Sequence, residues 1–156
     1  SAASDVYKRQ DYTMQRVTKE YIKLKQLNAV TVIGKGAYSH STTLRFNNSI
    51  ESGSSCINEQ GKARIETISI DEMLNGQRVS YIKMDIEGAE MEALNVAHNT
   101  INKFRPKLAI SVYHKEDDLW NIPDYLHKEY PWYKFYLRHY TPITTETILY
   151  AMEKQV

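Results

Sequence analysis

One strand, turn and helix in a row constrain the fold of this chain more than any other segment. Residues 79–86 form a mostly apolar run, Gly88 interrupts it, and residues 89–100 carry apolar side chains at helical spacing. A second apolar run at residues 107–113 is typical of a strand buried on both faces, and a helix is expected to begin at Pro123. This alternation predicts an α/β fold.

The remaining elements follow from the same periodicities. Apolar residues three or four positions apart predict an amphipathic helix over residues 14–27. Asp71 is expected to cap a helical turn that ends at Leu74, and residues 47–61 are expected to form an exposed loop. Further strands are predicted at residues 29–33, 42–46, 62–70, 133–139 and 145–152. The sheet is therefore expected to be mostly parallel, with an antiparallel strand pair near the C-terminal end.

Composition excludes several classes of protein. The 156 residues fit one domain, and with 42% hydrophobic and 25% charged residues the chain has no apolar run long enough for a membrane span. A net charge of +1 gives no field that would attract nucleic acid or an anionic membrane. The single cysteine, Cys56, cannot form an internal disulfide and is expected to be an inert thiol in a polar loop, which fits a cytoplasmic location. The oligomeric state is not indicated.

The first ten residues do not resemble a protein element. Residues 1–10 are similar to an in-frame translation of a sequencing adapter, which leaves residues 11–156 as the C-terminal part of a single domain. We therefore expect the natural chain to continue upstream, so that a targeting signal cannot be judged from this sequence.

Two acidic residues follow the strand at residues 79–86. Asp85 and Glu87 are one residue apart, so in extended chain their carboxylates point to the same side. In an open α/β sheet, ligands bind at the carboxyl ends of the strands. The pair could therefore share a metal ion, hold an ammonium or sulfonium centre, or act on one proton. The alternative is structural: Asp85 at the strand end caps the following helix, and Glu87 and Glu90 favour the positive N-terminus of that helix.

Several phrases occur together, in this order: residues 82–90 (IKMDIEGAE), Leu94, Pro106, residues 111–114 (SVYH), Asp118-Leu119, Ile122-Pro123 and residues 136–140 (YLRHY). In order and spacing they resemble the second half of FkbM-type methyltransferases. The resemblance implies an incomplete class I methyltransferase sheet of the Rossmann-like type. It also implies that S-adenosylmethionine lies across the strand ends and that a hydroxyl of the acceptor is methylated.

Carried over to this sequence, the resemblance implies four cofactor-binding residues. Asp85 and Glu87 would face the methionine half and the reacting centre, and the turn that contains Gly36 and Ala37 would hold the adenine through its backbone. The alternative for that turn is a plain glycine strand terminator. The family's first strand, glycine-rich loop and following acidic residue have no counterpart in the chain. The chain alone is therefore expected to bind the cofactor poorly and to expose unpaired sheet edges.

Two histidines are candidates for the base that removes the hydroxyl proton. His114 ends the strand at residues 107–113, at the same sheet edge as Asp85, and His139 ends the next strand but one. The alternatives are a His114 that bonds to Asp117 or Asp118 to shape a loop, and a His139 held by backbone in a tyrosine-rich wall.

The preferred interpretation is an S-adenosylmethionine-dependent O-methyltransferase that acts on a sugar or secondary metabolite, with His114 as base and Asp85 orienting the reacting centre. Its partner would be a small-molecule or glycan acceptor, and no metal is assigned. Two alternatives stay open: a glycosyltransferase-like enzyme that binds a metal and a sugar nucleotide at Asp85 and Glu87, and a non-catalytic degenerate module.

Overall fold

The computed structural model describes residues 12–47, 56–57 and 63–154, with side chains described at residues 17–45 and 64–154. In chain order the elements are α1 (Tyr12–Leu24), β1 (Gly36–Ala37), β2 (Thr43–Asn47), β3 (Cys56–Ile57), β4 (Ala63–Ile68), α2 (Ile70–Leu74), β5 (Tyr81–Met84), α3 (Glu90–Asn95), α4 (His98–Phe104), β6 (Lys107–Ser111), α5 (Asp118–Glu129), β7 (Tyr133–His139) and β8 (Thr147–Glu153). Residues 1–10 lie outside the described part.

The strands form two four-stranded sheets. The first has the order β1-β4-β2-β3, and the second has the order β5-β6-β8-β7. In the second sheet β5 and β6 are parallel, whereas β8 is antiparallel to both β6 and β7. Because β6 and β7 are both antiparallel to β8, they run in the same direction as each other. β5 is parallel to β6, so all three strands run in one direction. Their C-terminal residues Met84, Ser111 and His139 therefore end at one edge of the sheet, as predicted.

The mixed α/β class and the antiparallel C-terminal strand pair are confirmed, but the expectation of a mostly parallel sheet is wrong for the described strands. Among these, only β1 with β4 and β5 with β6 pair in parallel. The other four pairings are antiparallel. In the second sheet the cause lies in β8, whose Ile148, Leu149 and Ala151 are all buried. Burying these residues places β8 between β6 and β7, where it opposes both neighbours.

One apolar core joins the second sheet to the helices. Met84 and Ile110 are register partners, as are Ile110 and Leu149, and all three pack in one cluster with Ile101 of α4 and Leu126 of α5. Each such side chain contributes roughly 1.5–3 kcal/mol when it is fully buried. This packing holds β5 and β6 side by side and so sets the distance between the segments that follow them.

The helix predicted over residues 89–100 is two helices, α3 and α4. The break follows from Asp71, whose carboxylate accepts hydrogen bonds from the backbone N–H groups of Asn99 and Thr100 at 3.1 and 2.9 Å. Asp71 thus caps α4 from a distant part of the chain. The expected cap of its own helix α2 is wrong, because Ser69 occupies that position and exchanges capping bonds with Glu72.

The helix expected at Pro123 begins five residues earlier, at Asp118. Pro123 cannot donate to the carbonyl of Leu119, so a helix break was expected there. Ile122 and Leu126 are fully buried on the core side of α5, and this packing offsets the cost of the proline.

Two other expectations in the N-terminal part are wrong. Residues 29–33 form no strand, and Gly36 and Ala37, which were predicted to lie in a turn, form the short strand β1 instead. Cys56 lies in β3, paired with β2, rather than in a loop. Most of the predicted loop at residues 47–61 lies outside the described residues. The predicted helix over residues 14–27 is present as α1, but Leu24 is 80% exposed, so no described residue covers that part of its apolar face.

Candidate active site

A tight turn carries the two acidic residues past the end of β5. Glu87 has φ 59° and Gly88 has φ 93°, so both lie in the left-handed region that disfavours side chains. Only Gly88 adopts this conformation without cost, and a non-glycine residue such as Glu87 persists there when its surroundings hold it. The turn is thus a strained feature of the kind that clusters at functional sites.

Glu90 holds this turn. Its Oε1 atom accepts a hydrogen bond from the backbone N–H of Ile86 at 2.8 Å, and its Oε2 atom accepts one from the N–H of Gly88 at 2.9 Å. Glu90 is fully buried at 0% exposure, although it stands in the first turn of α3. A buried carboxylate requires donors on its oxygens, and the turn supplies two of them.

His114 lies opposite the turn, three residues beyond β6. Its Nδ1 atom is 2.9 Å from Glu90 Oε1. Its Nε2 atom is 3.5 Å from Asp85 Oδ1 and 3.7 Å from Glu87 Oε2. Because a carboxylate can only accept, Nδ1 carries the hydrogen in this contact, and in the neutral ring Nε2 presents its lone pair.

Three carboxylates act on one imidazole. Burial by itself lowers the pKa of His114, whose side chain is 10% exposed, but the hydrogen bond to Glu90 and the charges of Glu90, Glu87 and Asp85 outweigh it and raise the pKa above its ordinary value. The site therefore favours a proton on His114 and stabilises the imidazolium that forms there.

Tyr113 contacts this cluster, and a buried hydroxyl, that of Ser111, lies at the end of β6. The Tyr113 hydroxyl donates to Asp85 Oδ1 at 3.0 Å, and its ring centroid lies 4.2 Å from that of His114. Burial and the neighbouring Asp85 raise the pKa of Tyr113, so its hydroxyl stays a proton donor at neutral pH. The hydroxyl of Ser111 is buried and has no hydrogen-bond partner among the described residues.

Only some of the predicted site residues lie close together. Asp85, Glu87 and His114 come together as expected, and His114 bonds to Glu90 rather than to the loop acids proposed in the alternative. Asp118 instead accepts the backbone N–H of Lys115 at 3.1 Å.

His139 ends β7 at the same sheet edge, but β8 lies between its strand and β6. It is exposed, and its Nδ1 atom is 2.9 Å from Thr147 Oγ1 rather than near a carboxylate. The structure does not bring His139 to the cluster, and its role stays a prediction.

Gly36 and Ala37 form strand β1 rather than the predicted turn. Ala37 lines an apolar groove of about 350 Å³ together with Ile68, Met84 and Ile86. Gly36 is buried and pairs with Thr67 of β4. The adenine role of these two residues stays a prediction.

Sequence reasoning missed Glu90 and Tyr113 as members of the cluster. Glu90 was considered only as a charge that favours the helix end. A signal was available for it, since an acid two residues after a turn glycine can reach back to the backbone N–H groups of that turn. No signal placed the Tyr113 hydroxyl on Asp85, because that contact depends on the pairing of β5 with β6.

No group of three or more His, Cys, Asp and Glu side chains in the described part is arranged to hold a metal ion. None of the described helices is long and apolar enough to cross a membrane.

Comparison with known proteins points to one family. The family model described as Methyltransferase FkbM domain matches residues 10–140. The crystal structure of methyltransferase FkbM from Methylobacillus flagellatus KT at 2.20 Å resolution is 32% identical and superimposes with a TM-score of 0.68. That match covers 89% of this chain and 32% of the other, so the chain spans about a third of that protein. No curated protein matches the chain. The family match over most of the chain shows that it belongs to the FkbM methyltransferase family.

Proposed function

We propose that the protein is an S-adenosylmethionine-dependent O-methyltransferase that acts on a hydroxyl of a sugar or secondary metabolite, with His114 as its base. One observation carries the proposal: Nδ1 of His114 is held by the buried Glu90, while Nε2 points at Asp85 and Glu87. An imidazole held in this way can take a proton at Nε2 beside two carboxylates that stabilise the resulting charge.

Methyl transfer to a hydroxyl requires alignment and the loss of one proton. S-adenosylmethionine, when bound, supplies the methyl group on a positively charged sulfonium. His114 Nε2 accepts the proton of the acceptor hydroxyl, a role that contributes about 10²- to 10⁴-fold to the rate in general-base catalysis. The carboxylates of Asp85 and Glu87 then face the imidazolium and lower the energy of the charged state. Tyr113 orients Asp85 through its 3.0 Å hydrogen bond.

The residues present fit part of the cofactor. Asp85 and Glu87 would face its positive centre, because carboxylates at the mouth of a cleft attract cations. The groove beside Ala37 is largely apolar and suits a flat ring such as adenine. No loop among the described residues matches the carboxypropyl and ribose groups, so the fit covers only these two portions.

Family membership supports methyl transfer over the glycosyltransferase-like alternative. The non-catalytic alternative makes a different prediction, namely that the protein ignores S-adenosylmethionine. Titration calorimetry with S-adenosylmethionine distinguishes the methyltransferase from the non-catalytic alternative. The protein titrated includes any residues encoded upstream of this sequence. We expect binding when those residues supply a strand, a glycine-rich loop and a helix, and a protein so completed that fails to bind overturns the proposal.

The base assignment is tested by two matched histidine variants. His114→Ala is expected to reduce kcat for methyl transfer about 10²- to 10⁴-fold, measured with a panel of hydroxylated sugars and metabolites. His139→Ala removes a histidine from the same sheet edge and is expected to leave kcat within a few-fold. If only His139→Ala abolishes turnover, the base is His139 and the assignment made here is wrong.

A further inference from the structure

We propose that Glu90 is the positioning residue of this site: its carboxylate sets the tautomer of His114 and, through its other bonds, holds the turn that carries Asp85 and Glu87. This inference rests on the proposed function and deepens it, because it identifies the residue that prepares the base.

The Glu90 carboxylate lies between the acidic turn and His114. Glu90 is fully buried, and its two oxygens receive three contacts: the N–H groups of Ile86 and Gly88, and the ring of His114. A residue needed only to cap the turn would require the two backbone contacts alone. The third contact fixes the ring of a side chain 24 positions away in the sequence.

Glu90 also determines which nitrogen of His114 carries the hydrogen. In a neutral imidazole one nitrogen donates and the other accepts, and the hydrogen bond made by one nitrogen decides which is protonated. Glu90 accepts from Nδ1, so Nε2 remains the basic atom on the side of Asp85 and Glu87. Without this acceptor, the ring can turn or carry its hydrogen on Nε2, and the basic atom no longer faces the two carboxylates.

Glu90 also bonds to the strained turn. Glu87 holds a left-handed backbone at φ 59°, and the N–H of its neighbour Gly88 is bound by Glu90 Oε2. The same side chain therefore keeps both parts of the site in place: the imidazole on one side and the two acids on the other. Loss of Glu90 is expected to change the position of the acids as well as the state of the base.

Groups that face His114 come from three segments: Asp85 and Glu87 from the turn after β5, Glu90 from α3, and Tyr113 from the segment after β6. The nearest cation along the chain, Lys115, instead pairs with Glu92 at 3.3 Å. Removing the charge of Glu90 thus leaves Asp85 and Glu87 as the remaining anions beside the ring.

The test uses Glu90→Gln and Glu90→Asp, with Glu92→Gln as matched control. Glu92 lies on the same helix and carries the same charge, but its side chain is 39% exposed and it pairs with Lys115. Nitrogen-15 NMR of the imidazole reports the tautomer directly and requires no turnover. At a pH above the raised pKa of His114, where the ring is neutral, we expect the Nδ1–H form in the protein and in Glu92→Gln, and a mixture or the opposite form in Glu90→Gln.

Turnover gives the second readout. Glu90→Gln is expected to lower kcat about tenfold to a thousandfold and to move the acidic limb of the pH profile to lower pH, because a general base contributes about 10²- to 10⁴-fold and one of its three anions is gone. Glu90→Asp retains the charge and is expected to recover the pH limb in part. Glu92→Gln is expected to change neither quantity.

Several outcomes overturn the proposal. One is an Nε2–H tautomer in the unaltered protein, a result that needs no variant to fold. Another is a Glu90→Gln protein whose imidazole spectrum and pH limb match those of Glu92→Gln. If the tautomer shifts as expected but His114→Ala retains full turnover, the positioning role stands and the proposed base is wrong, so the two failures are distinguishable.

Discussion

Adding one methyl group at Gly88 tests whether the acidic turn must keep its shape. The backbone there has φ +93°, which costs an L-residue about 1–2 kcal/mol. A Cβ atom would lie 3.4 Å from Lys115 Cε and 3.7 Å from His114 Cβ, which are ordinary van der Waals distances. Strain in the backbone, rather than a clash, therefore sets the cost of Gly88→Ala.

The matched control is Gly76→Ala. Gly76 has φ +77°, and a Cβ atom there meets nothing within 4 Å, so it has a comparable backbone cost without neighbours. Urea denaturation is expected to show a loss of about 1–2 kcal/mol for each variant, or a fall in Tm of about 2–8 °C. The two variants should then have similar stability.

Their activity should differ. Gly88→Ala relieves its strain by moving the turn, which shifts the acids or breaks the N–H bond to Glu90 Oε2. We expect kcat for methyl transfer to fall by about a hundredfold, because a displacement near 1 Å can have that effect. Gly76→Ala should leave kcat unchanged. Equal kcat in the two variants at equal stability would refute the reasoning that the turn geometry matters.

Three further predictions concern stability, and urea denaturation measures each. Tyr133→Phe removes a hydroxyl that donates to the buried carbonyl of Pro106 at 2.5 Å, and should reduce the free energy of unfolding by about 1–3 kcal/mol. Asp71→Ala removes the cap of α4 and should cost about 0.5–2 kcal/mol, whereas Asp71→Asn retains an acceptor oxygen and should cost less. The raised pKa of His114 means that its protonated form stabilises the folded state. This contribution is complete below the unfolded imidazole value of about 6.5 and is lost as the pH rises through the folded value. The difference in unfolding free energy between the protein and His114→Gln should therefore shrink over that range; a constant difference would contradict it.

The sequence contains strong local information for the part of the site at the end of β5. An apolar strand that ends in Asp85 and is followed by Gly88 predicts a turn at a sheet edge, and the structure has it. The meeting of this turn with His114 was also predictable, because parallel strands that follow each other along the chain share an edge.

The errors arise where tertiary contacts outweigh local preference. Pro123 suggests a helix start, yet burial of Ile122 and Leu126 keeps it inside α5. The apolar periodicity over residues 89–100 is continuous, but Asp71 caps α4 and marks a second helix start that no local pattern shows. The contact of Glu90 with His114 was hidden for the same reason, since the two residues are distant in sequence.

The position of β8 affects the order in which this sheet can assemble. β6 and β7 are both translated before β8. Yet β8 is the described partner of β7, and it also pairs with one side of β6. During synthesis β7 and the side of β6 that faces away from β5 therefore lack their β8 partner until Thr147 and the residues after it leave the ribosome. If translation stalls before Thr147, two strand edges have unpaired backbone N–H and C=O groups that other chains can bind. We expect such stalled products to be captured by chaperones or to precipitate.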